Sequence, residues 1–526
     1  MLDGVVPDER LGPYSARGPR SGTGLALRHL IAAPARRRPA PEPIGYRRRR
    51  PEDAALHRAV RAHMESFLEL VDADPSGGGL PAHVRAEMER FLKCGILAHG
   101  FVRVRCSTCK DDLLVAFSCK GRGFCPSCGG RRMADTAARW VDRVLPDVPW
   151  RQWVLTVPVP LRLAMAWDPG LLTDVLTIFQ RAMAGRLRLL ARRKGLSGGQ
   201  HASVTVVQRF GSALNLNVHL HSLVADGVWV GVISGAARFV PLRLRDEDVT
   251  AVLHRVERRV FRLMVKRGLL GKTEDEYLPS APEVDPDRQL ELRLFEASAS
   301  LRIATGPRAG RVVRRVGARR VERAGGVRAR RRMQSRSGGF DLHAGVRIGR
   351  GQRGRLERLG RYLLRPAICL DRLRLREDGL YQYDFKRAWS DGTVGIVLEP
   401  VELMEKLAAL IPIPRANLIR YHGVLAPSSS VRDVVVPHPE ADADCSHIRP
   451  GGLAPAGRVP WAQLLRRTFL VDVLRCAGCG GRRQIVAQVT DPVAIKAILD
   501  HLGMAPDEFG PAPARAPPEF DIEWAS

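Results

Sequence analysis

The sequence predicts an α+β protein built on an antiparallel sheet. Alternating or β-branched apolar residues at 153–158, 204–208 and 217–230 are typical of strands, whereas 171–194 and 246–269 have the spacing of amphipathic helices. The resulting order of strand, helix, strand, strand and helix favours consecutive strands paired in one sheet, with helices packed against it.

The charge balance indicates a polyanionic partner. The chain has 526 residues, enough for two to four domains, and carries 84 Lys and Arg against 55 Asp and Glu, a net charge of +29. For a protein with no stretch of about eighteen apolar residues, and so no predicted membrane span, nucleic acid is the commonest such partner.

The first elements are predicted to form a helical module. Residues 1–45 are rich in Arg, Pro and Gly, and we expect a disordered basic arm there. Apolar residues then recur every three or four positions from Pro51, and a second helix is expected at 81–97.

The cysteine segment follows these helices. Cys106-x2-Cys109 and Cys125-x2-Cys128 each turn two thiolates toward one point, and together they predict one tetrahedral structural Zn²⁺ site. Cys94 and Cys119 are surplus to that site and are expected to be buried small hydrophobes, and Cys476-x2-Cys479 has no evident second pair. Such clustering is typical of metal binding in a reducing cytosol. The flanking basic residues suit a module that grips phosphates, and we expect DNA contacts from Arg122, Arg131 and Arg132.

Two histidines mark the third predicted strand. His219 and His221 lie two residues apart, so on a strand both imidazoles point to the same face and can reach one metal ion. Val218 and Leu220 would then pack into a core on the opposite face.

A strongly basic region and a short helix come next. Residues 302–336 hold thirteen arginines and one acidic residue, which is compatible with either a solvated basic loop or a DNA-docking surface. A helix at 353–364 carries Tyr362 and ends before Arg365-Pro366, because proline disfavours helix in its predecessor. The expected phosphate contacts in and after this region are Arg314, Arg315, Arg330, Arg331, Arg332, Arg361 and Arg365.

The order of these motifs resembles the rolling-circle transposases of insertion sequence family ninety-one. The resemblance covers roughly residues 45–485, and no single motif carries it alone. The matching segments are 117–128 (FSCKGRGFCPSC), 151–156 (RQWVLT), His219-x-His221, 339–345 (GFDLHAG), Arg361-Tyr362-x-x-Arg365-Pro366 and 420–425 (RYHGVL).

This resemblance implies a ferredoxin-like HUH (His-hydrophobic-His) nuclease domain with an N-terminal helical and zinc-ribbon module and a C-terminal extension. It implies His219 and His221 as metal ligands and Tyr362 as the nucleophile that cuts single-stranded DNA at element ends and in targets. The founding members use two tyrosines four residues apart, but Pro366 occupies the second position here. The chain therefore resembles the single-tyrosine branch, the common-region elements, and is expected in the bacterial cytoplasm, on the nucleoid when DNA-bound.

The domains and the chemistry follow from this interpretation. We expect a basic arm at 1–45, the zinc-binding module at 46–135, the catalytic domain at 136–400 and a C-terminal region with a disordered tail at 401–526. A hard, oxygen-preferring ion such as Mg²⁺ or Mn²⁺ would leave coordination positions open for phosphate and water. Held by the two histidines, it would polarise a scissile phosphate for attack by tyrosine.

Several residue assignments stay open at this stage. The third metal ligand could be Gln208, Asp226, His343 or His201, the alternative nucleophiles are Tyr381 and Tyr383, and Tyr421 with His422 either lines a DNA path or forms a turn. The alternative functions are a plasmid or phage replication initiator with the same chemistry and a non-catalytic zinc-ribbon nucleic-acid binder. The absence of a Walker-type phosphate loop agrees with DNA rejoining that needs no ATP.

Overall fold

The computed structural model describes most of the chain, namely residues 49–75, 78–231, 237–272, 277–279, 288–317, 332–437, 461–469, 471–504 and 512–513. The expected basic arm at 1–45, Arg330 and Arg331 lie outside the described residues, as does nearly all of the expected C-terminal tail.

Helices and strands are interspersed along the described chain. The helices are α1 Ala55–Asp72, α2 Ala82–Leu92, α3 Pro126–Arg143, α4 Val159–Trp167, α5 Pro169–Arg192, α6 Asp246–Lys266, α7 Gln289–Ala299, α8 Arg353–Leu363, α9 Pro400–Leu410, α10 Arg432–Val435, α11 Trp461–Phe469 and α12 Pro492–His501. The strands are β1 Phe101–Cys106, β2 Asp112–Ala116, β3 Trp150–Thr156, β4 Ala202–Phe210, β5 Leu216–Ala225, β6 Gly227–Val230, β7 Arg238–Pro241, β8 Leu270–Lys272, β9 Tyr277–Pro279, β10 Arg314–Val316, β11 Gln334–Ser337, β12 Phe340–Ile348, β13 Leu373–Leu375, β14 Tyr381–Asp384, β15 Gly395–Leu398, β16 Ile419–Gly423 and β17 Arg483–Val489.

A six-stranded sheet forms the centre of the fold. Its order is β11-β12-β3-β5-β4-β16, and every neighbouring pair is antiparallel. The expected mixture of helices with an antiparallel sheet is confirmed. The single strand expected at 217–230 is wrong in one respect, because β5 ends at Ala225 and the carboxylate of Asp226 accepts hydrogen bonds from Arg151 and Arg347.

One face of this sheet carries the larger apolar core. Val218 and Leu220 of β5 are fully buried there against α4, α5 and α6, as their alternation with the histidines predicts. Helix α5 begins at Pro169, and the side chain of Asp168 caps it by accepting a hydrogen bond from the Gly170 amide at 2.7 Å.

Helices α3 and α8 cover the opposite face, the face of the histidines. Trp140 of α3 and Leu356 and Leu363 of α8 pack with Val204 and Leu223 of the sheet. The helix predicted at 353–364 is confirmed as α8, which ends just before Arg365-Pro366.

The N- and C-terminal parts of the chain meet in two further units. Helices α1 and α2 pack with α9 and with a four-stranded sheet of order β10-β15-β14-β13. A separate three-stranded sheet of order β17-β1-β2 pairs the cysteine hairpin with a strand near the C-terminus.

Candidate functional site

His219 and His221 lie on the same face of β5, one of the two central strands of the six-stranded sheet. Their ring centroids are 4.8 Å apart. Nδ1 of His219 lies 2.8 Å from the Asn217 carbonyl oxygen, so it donates a hydrogen bond and leaves Nε2 as the acceptor nitrogen. Nδ1 of His221 lies 3.0 Å from the side-chain amide of Gln152, and its buried Nε2 has no partner among the described residues.

Both imidazoles are neutral at neutral pH. Burial lowers the pKa of His219 to about 4, and the positive charges of Arg365 and Arg162 contribute to the shift. Burial, then the neighbouring His219 and Arg365, lower the pKa of His221 well below its ordinary value. The neutral form is the one that binds metal ions.

Gln208 of β4 is a buried polar side chain on the face of the two histidines. It is directly opposite His219 in the β4–β5 pairing and is only 2 % exposed. Its Nε2 donates to the carbonyl oxygen of Leu363 at 2.6 Å, whereas its Oε1 has no partner in the described part of the chain. An unpartnered buried carboxamide oxygen beside two neutral imidazoles is a third potential metal ligand.

The other three candidates for the third ligand lie elsewhere. Asp226 is paired with Arg151 at the far end of β5, and His201 precedes the first residue of β4 at that same end. His343 lies on β12 at the same level of the sheet as His221, two strands away, since both pair with Val154 of β3, and its Nε2 lies beside Gly345, where an added Cβ would be 2.8 Å from it.

Tyr362 projects from α8 beside the histidines. Its ring centroid lies 6.4 Å from that of His221, with the ring planes at 85°, and the residue is 51 % exposed. The guanidinium carbon of Arg365 lies 4.5 Å from the Tyr362 ring centroid and 5.3 Å from that of Phe210. The structure thus brings the predicted tyrosine and the predicted histidine pair together at one place on the surface.

The alternative nucleophiles Tyr381 and Tyr383, and Tyr421, which was expected to line a DNA path or form a turn, are in structural positions. Tyr381 and Tyr383 are each 3 % exposed, and the Tyr383 hydroxyl accepts a hydrogen bond from the Cys369 amide. The Tyr421 hydroxyl accepts one from Trp140 Nε1 at 2.9 Å, between β16 and α3.

The prediction of one zinc site from Cys106, Cys109, Cys125 and Cys128 is wrong in its grouping. The structure forms two clusters instead: Cys94, Cys119, Cys125 and Cys128 make one, and Cys106, Cys109, Cys476 and Cys479 make the other. The reason is the β1–β2 hairpin, which places the first pair at its tip while the second pair lies near its base. Strands of five or six residues separate these ends by roughly 17–20 Å.

The cluster of Cys94, Cys119, Cys125 and Cys128, here called the base cluster, has the dimensions of a zinc site. Three of its Sγ–Sγ distances are 3.4, 3.7 and 3.8 Å. A tetrahedral ion with Zn–S bonds of about 2.3 Å requires separations of about 3.8 Å. Cys94 and Cys119 are therefore candidate ligands rather than the surplus hydrophobes that the sequence suggested.

Helix α3 connects the base cluster to the tyrosine helix. Cys125 immediately precedes α3 and Cys128 lies in its first turn. A Cβ added to Gly129 would lie 2.8 Å from Cβ of Pro366, and one added to Gly360 of α8 would lie 3.3 Å from Ala137 and Trp140. Helix α3 therefore approaches the chain closely on either side of Tyr362, at Gly360 of α8 and at Pro366 just beyond the end of that helix.

The predicted DNA-binding arginines occupy different environments. Arg131 and Arg332 are exposed, Arg132 donates to the Gly121 carbonyl and Arg122 donates to that of Ala416. Three others are in ion pairs: the partners are Glu399 for Arg314, Asp391 for Arg315 and Glu357 for Arg361. Sequence reasoning missed Arg162, whose charge acts on His219, because no motif distinguishes it from other arginines on helix α4.

Comparison with known proteins identifies the class of the protein as a transposase. Residues 202–432 match the family described as "Putative transposase" (Y2_Tnp), and residues 59–157 match the "Transposase zinc-binding domain" family (Zn_Tnp_IS91). Together with the relative described next, these two matches support an IS91-family transposase with an N-terminal zinc-binding domain.

One curated relative matches part of the chain. It is the transposase for insertion sequence element IS801 of Pseudomonas savastanoi pv. phaseolicola, 28% identical over 152 residues, which are 28% of this chain and 35% of the relative. The match thus spans about a third of that relative. No solved structure matches the chain.

None of the helices among the described residues combines the length and the apolar composition that a bilayer crossing requires.

Proposed function

We propose that this protein cuts and rejoins single-stranded DNA at element ends, as a rolling-circle transposase that uses Tyr362 as its only nucleophile. The observation that carries this proposal is the convergence of Tyr362 of α8 with the histidine pair of β5: the ring centroid of Tyr362 lies 6.4 Å from that of His221, which itself lies 4.8 Å from that of His219. The antiparallel sheet that presents the histidines supports a ferredoxin-like HUH nuclease domain.

We expect a divalent cation at this site, and Mg²⁺ or Mn²⁺ is the proposed ion because its remaining coordination positions can take phosphate and water oxygens. Nε2 of His219, Nε2 of His221 and Oε1 of Gln208 would hold it, since the last two are buried without partners among the described residues. When bound, such an ion polarises the scissile phosphate and stabilises the charge that develops on it.

Gln152 sets the tautomer of His221. A metal-binding Nε2 requires the proton to be on Nδ1, so the carboxamide oxygen of Gln152 would accept a hydrogen bond from this Nδ1–H. The oxygen would then occupy the position of the amide nitrogen, which lies 3.0 Å from Nδ1. Rotation of the carboxamide by 180° achieves this without any backbone movement.

The reaction exchanges one phosphodiester for another. Tyr362 Oη attacks phosphorus and loses its proton to the water that reaches this half-exposed side chain. The bond from phosphorus to the 3′ oxygen breaks, and that oxygen takes up a proton as the free 3′-hydroxyl. The product is a 5′-phosphotyrosine, which a 3′-hydroxyl can attack in the reverse direction without ATP.

The cationic side chains around the tyrosine support this chemistry. Arg365 stacks on the Tyr362 ring and Arg162 lies close enough to lower the pKa of His219. Both would attract a DNA phosphate to the exposed side of the histidine pair. Tyr381 and Tyr383 are too deeply buried to supply a second nucleophile, so in this proposal the second strand is joined by a second use of Tyr362 or by Tyr362 from another copy of the chain.

The test is a covalent adduct on single-stranded element-end DNA. With Mg²⁺ or Mn²⁺, the wild-type protein should form an SDS-resistant adduct with the strand 3′ of the nick, and Tyr362→Phe should abolish it. Replacing both His219 and His221 by Ala should abolish it too. Tyr381→Phe is the matched control, because it removes the hydroxyl of a buried tyrosine and should leave the adduct unchanged.

Two outcomes would contradict the proposal. An adduct that persists in Tyr362→Phe would exclude this residue as the nucleophile. A wild-type protein that binds the DNA but forms no adduct with any strand would favour a non-catalytic zinc-ribbon nucleic-acid binder.

A further inference from the structure

The second cysteine cluster joins two segments that are distant in the sequence. Cys106 and Cys109 lie at the tip of the β1–β2 hairpin, and Cys476 and Cys479 immediately precede β17. All four Sγ atoms lie within 4.8 Å of one another, with 3.5 Å between Cys106 and Cys479 and 3.6 Å between Cys109 and Cys476. These separations approach the roughly 3.8 Å between ligands of a tetrahedral zinc–thiolate centre.

The two Cys-x2-Cys segments have the same backbone geometry. The Lys110 amide donates to the Cys106 carbonyl at 3.2 Å, and the Gly480 amide donates to the Cys476 carbonyl at 2.9 Å. Lys110 and Gly480 each follow their first cysteine by four residues and have positive φ, 62° and 73°. Two matching turns that present their thiols to one point form a built metal site rather than a chance grouping.

The surroundings of the cluster fix the two turns against each other. Strand β17 pairs with β1 in a register that places Arg483 opposite Cys106, and the Ser107 amide donates to the Arg482 carbonyl at 3.0 Å. Arg483, 7 % exposed, forms an ion pair with Asp111. A Cβ at Gly481 would lie 2.6 Å from Oγ1 of Thr108, so this close approach requires glycine.

The apolar core beside this cluster is small. Leu97, Phe101, Leu114, Val489, Ile495 and Leu499 are its buried members. Units with so few buried side chains usually need a metal ion or a disulfide for stability.

We propose that Cys106, Cys109, Cys476 and Cys479 bind a second structural zinc ion that fastens the C-terminal segment 471–501 to the zinc-binding domain. Four thiolates leave no open coordination position, so this site is structural and not catalytic. It extends the zinc-binding unit beyond residues 59–157, the part that the family match covers.

Zinc content of the full-length protein tests this proposal. Elemental analysis should give two zinc ions per wild-type chain and one in Cys479→Ser. Cys479 is exposed, so its replacement leaves the core intact. Cys479→His should restore the second ion, since histidine is also a zinc ligand, and Cys369→Ser, outside both clusters, should keep two.

Hydrogen exchange provides a readout that does not depend on metal stoichiometry. In Cys479→Ser the amides of β17 should exchange faster, while those of β4 and β5 keep their protection. One zinc ion per wild-type chain, or two in Cys479→Ser, would overturn the proposal, and so would iron in place of zinc. Neither measurement requires DNA cleavage, so a failure of the proposed catalytic function would leave this result standing.

Discussion

A pair of neighbouring glycines in α3 offers the sharpest test of how the base cluster supports the tyrosine. Gly129 and Gly130 directly follow Cys128 on the same helix. A Cβ on Gly129 would lie 2.8 Å from Cβ of Pro366, four residues beyond Tyr362, whereas a Cβ on Gly130 would have nothing within 4 Å. Alanine therefore has the same local effect at both positions and a steric effect at only one.

The expected magnitudes follow from these distances. Either alanine gains up to about 1 kcal/mol of helix propensity. Ordinary carbon–carbon contact is about 3.5–4.0 Å, so Gly129→Ala must separate α3 from Pro366 by roughly 1 Å, an overpacking that costs about 1–3 kcal/mol. Displacement of a reacting group by 1 Å can slow a reaction about 100-fold.

The assay is single-turnover formation of the DNA adduct, with zinc content and unfolding measured in parallel. Gly130→Ala should unfold at a higher denaturant concentration and react at the wild-type rate. Gly129→Ala should retain its zinc but form the adduct at least about tenfold more slowly. Equal rates for the two variants would refute the idea that the contact with Pro366 positions Tyr362.

Three further predictions concern other side chains. Gln208→Leu removes the unpartnered Oε1, so the Mn²⁺ concentration for half-maximal adduct formation should rise about tenfold or more; an unchanged Mn²⁺ requirement would exclude Gln208 as a ligand. Arg365→Gln removes the cation over the Tyr362 ring, a cation–π interaction worth about 1 kcal/mol, so the rate of adduct formation should fall about fivefold. The same change should reduce the salt dependence of DNA binding by about one phosphate contact. An unchanged salt slope in DNA titrations would argue against phosphate binding by Arg365. Burial lowers the pKa of His201 and of His422 to about 4, against about 6.5 when unfolded, so the unfolded state binds more protons between these values. The free energy of unfolding should therefore fall as pH drops from about 6.5 toward 4, and less so when both are replaced by Gln; equal pH profiles in denaturant titrations would contradict this.

Local periodicity was enough to predict the elements that carry the catalytic candidates. The alternation around His219 and His221 fixed their common face, and the apolar spacing of 353–364 gave α8 with Tyr362. These features depend on neighbours within a few residues, which a sequence pattern records directly.

Long-range pairing could not be predicted in the same way. The partner of the Cys106 turn lies 373 residues away from it, at Cys479, and identical spacing in three Cys-x2-Cys motifs does not say which two face each other. One local signal was available: the alternating residues of 101–106 indicate a strand that ends at Cys106. A cysteine pair at a hairpin tip lies far from cysteines at the hairpin base.

The position of Gln208 opposite His219 is a second feature that the sequence pattern could not predict. Gln208 lies opposite His219 only because β4 and β5 shift their register between Gln208 and Phe210. An uninterrupted hairpin traced back from the Phe210–Leu216 pair would place a different residue there, and a shift by one would turn the side chain to the other face. The position of this proposed third donor thus depends on an irregularity that residue periodicity does not encode.

Helices next to both cysteine clusters in the chain contact α8, the helix that carries Tyr362. The base cluster begins α3, which packs directly on α8. From the C-terminal side, Arg467 of α11 reaches Glu357 of α8 at 2.7 Å, and Glu357 also pairs with Arg361, next to Tyr362. Since Tyr362, the proposed nucleophile, is on a surface helix of only eleven residues, a fixed position has to come from such contacts rather than from the helix itself. We therefore expect loss of either zinc ion to reduce the rate of cleavage more than the affinity for DNA.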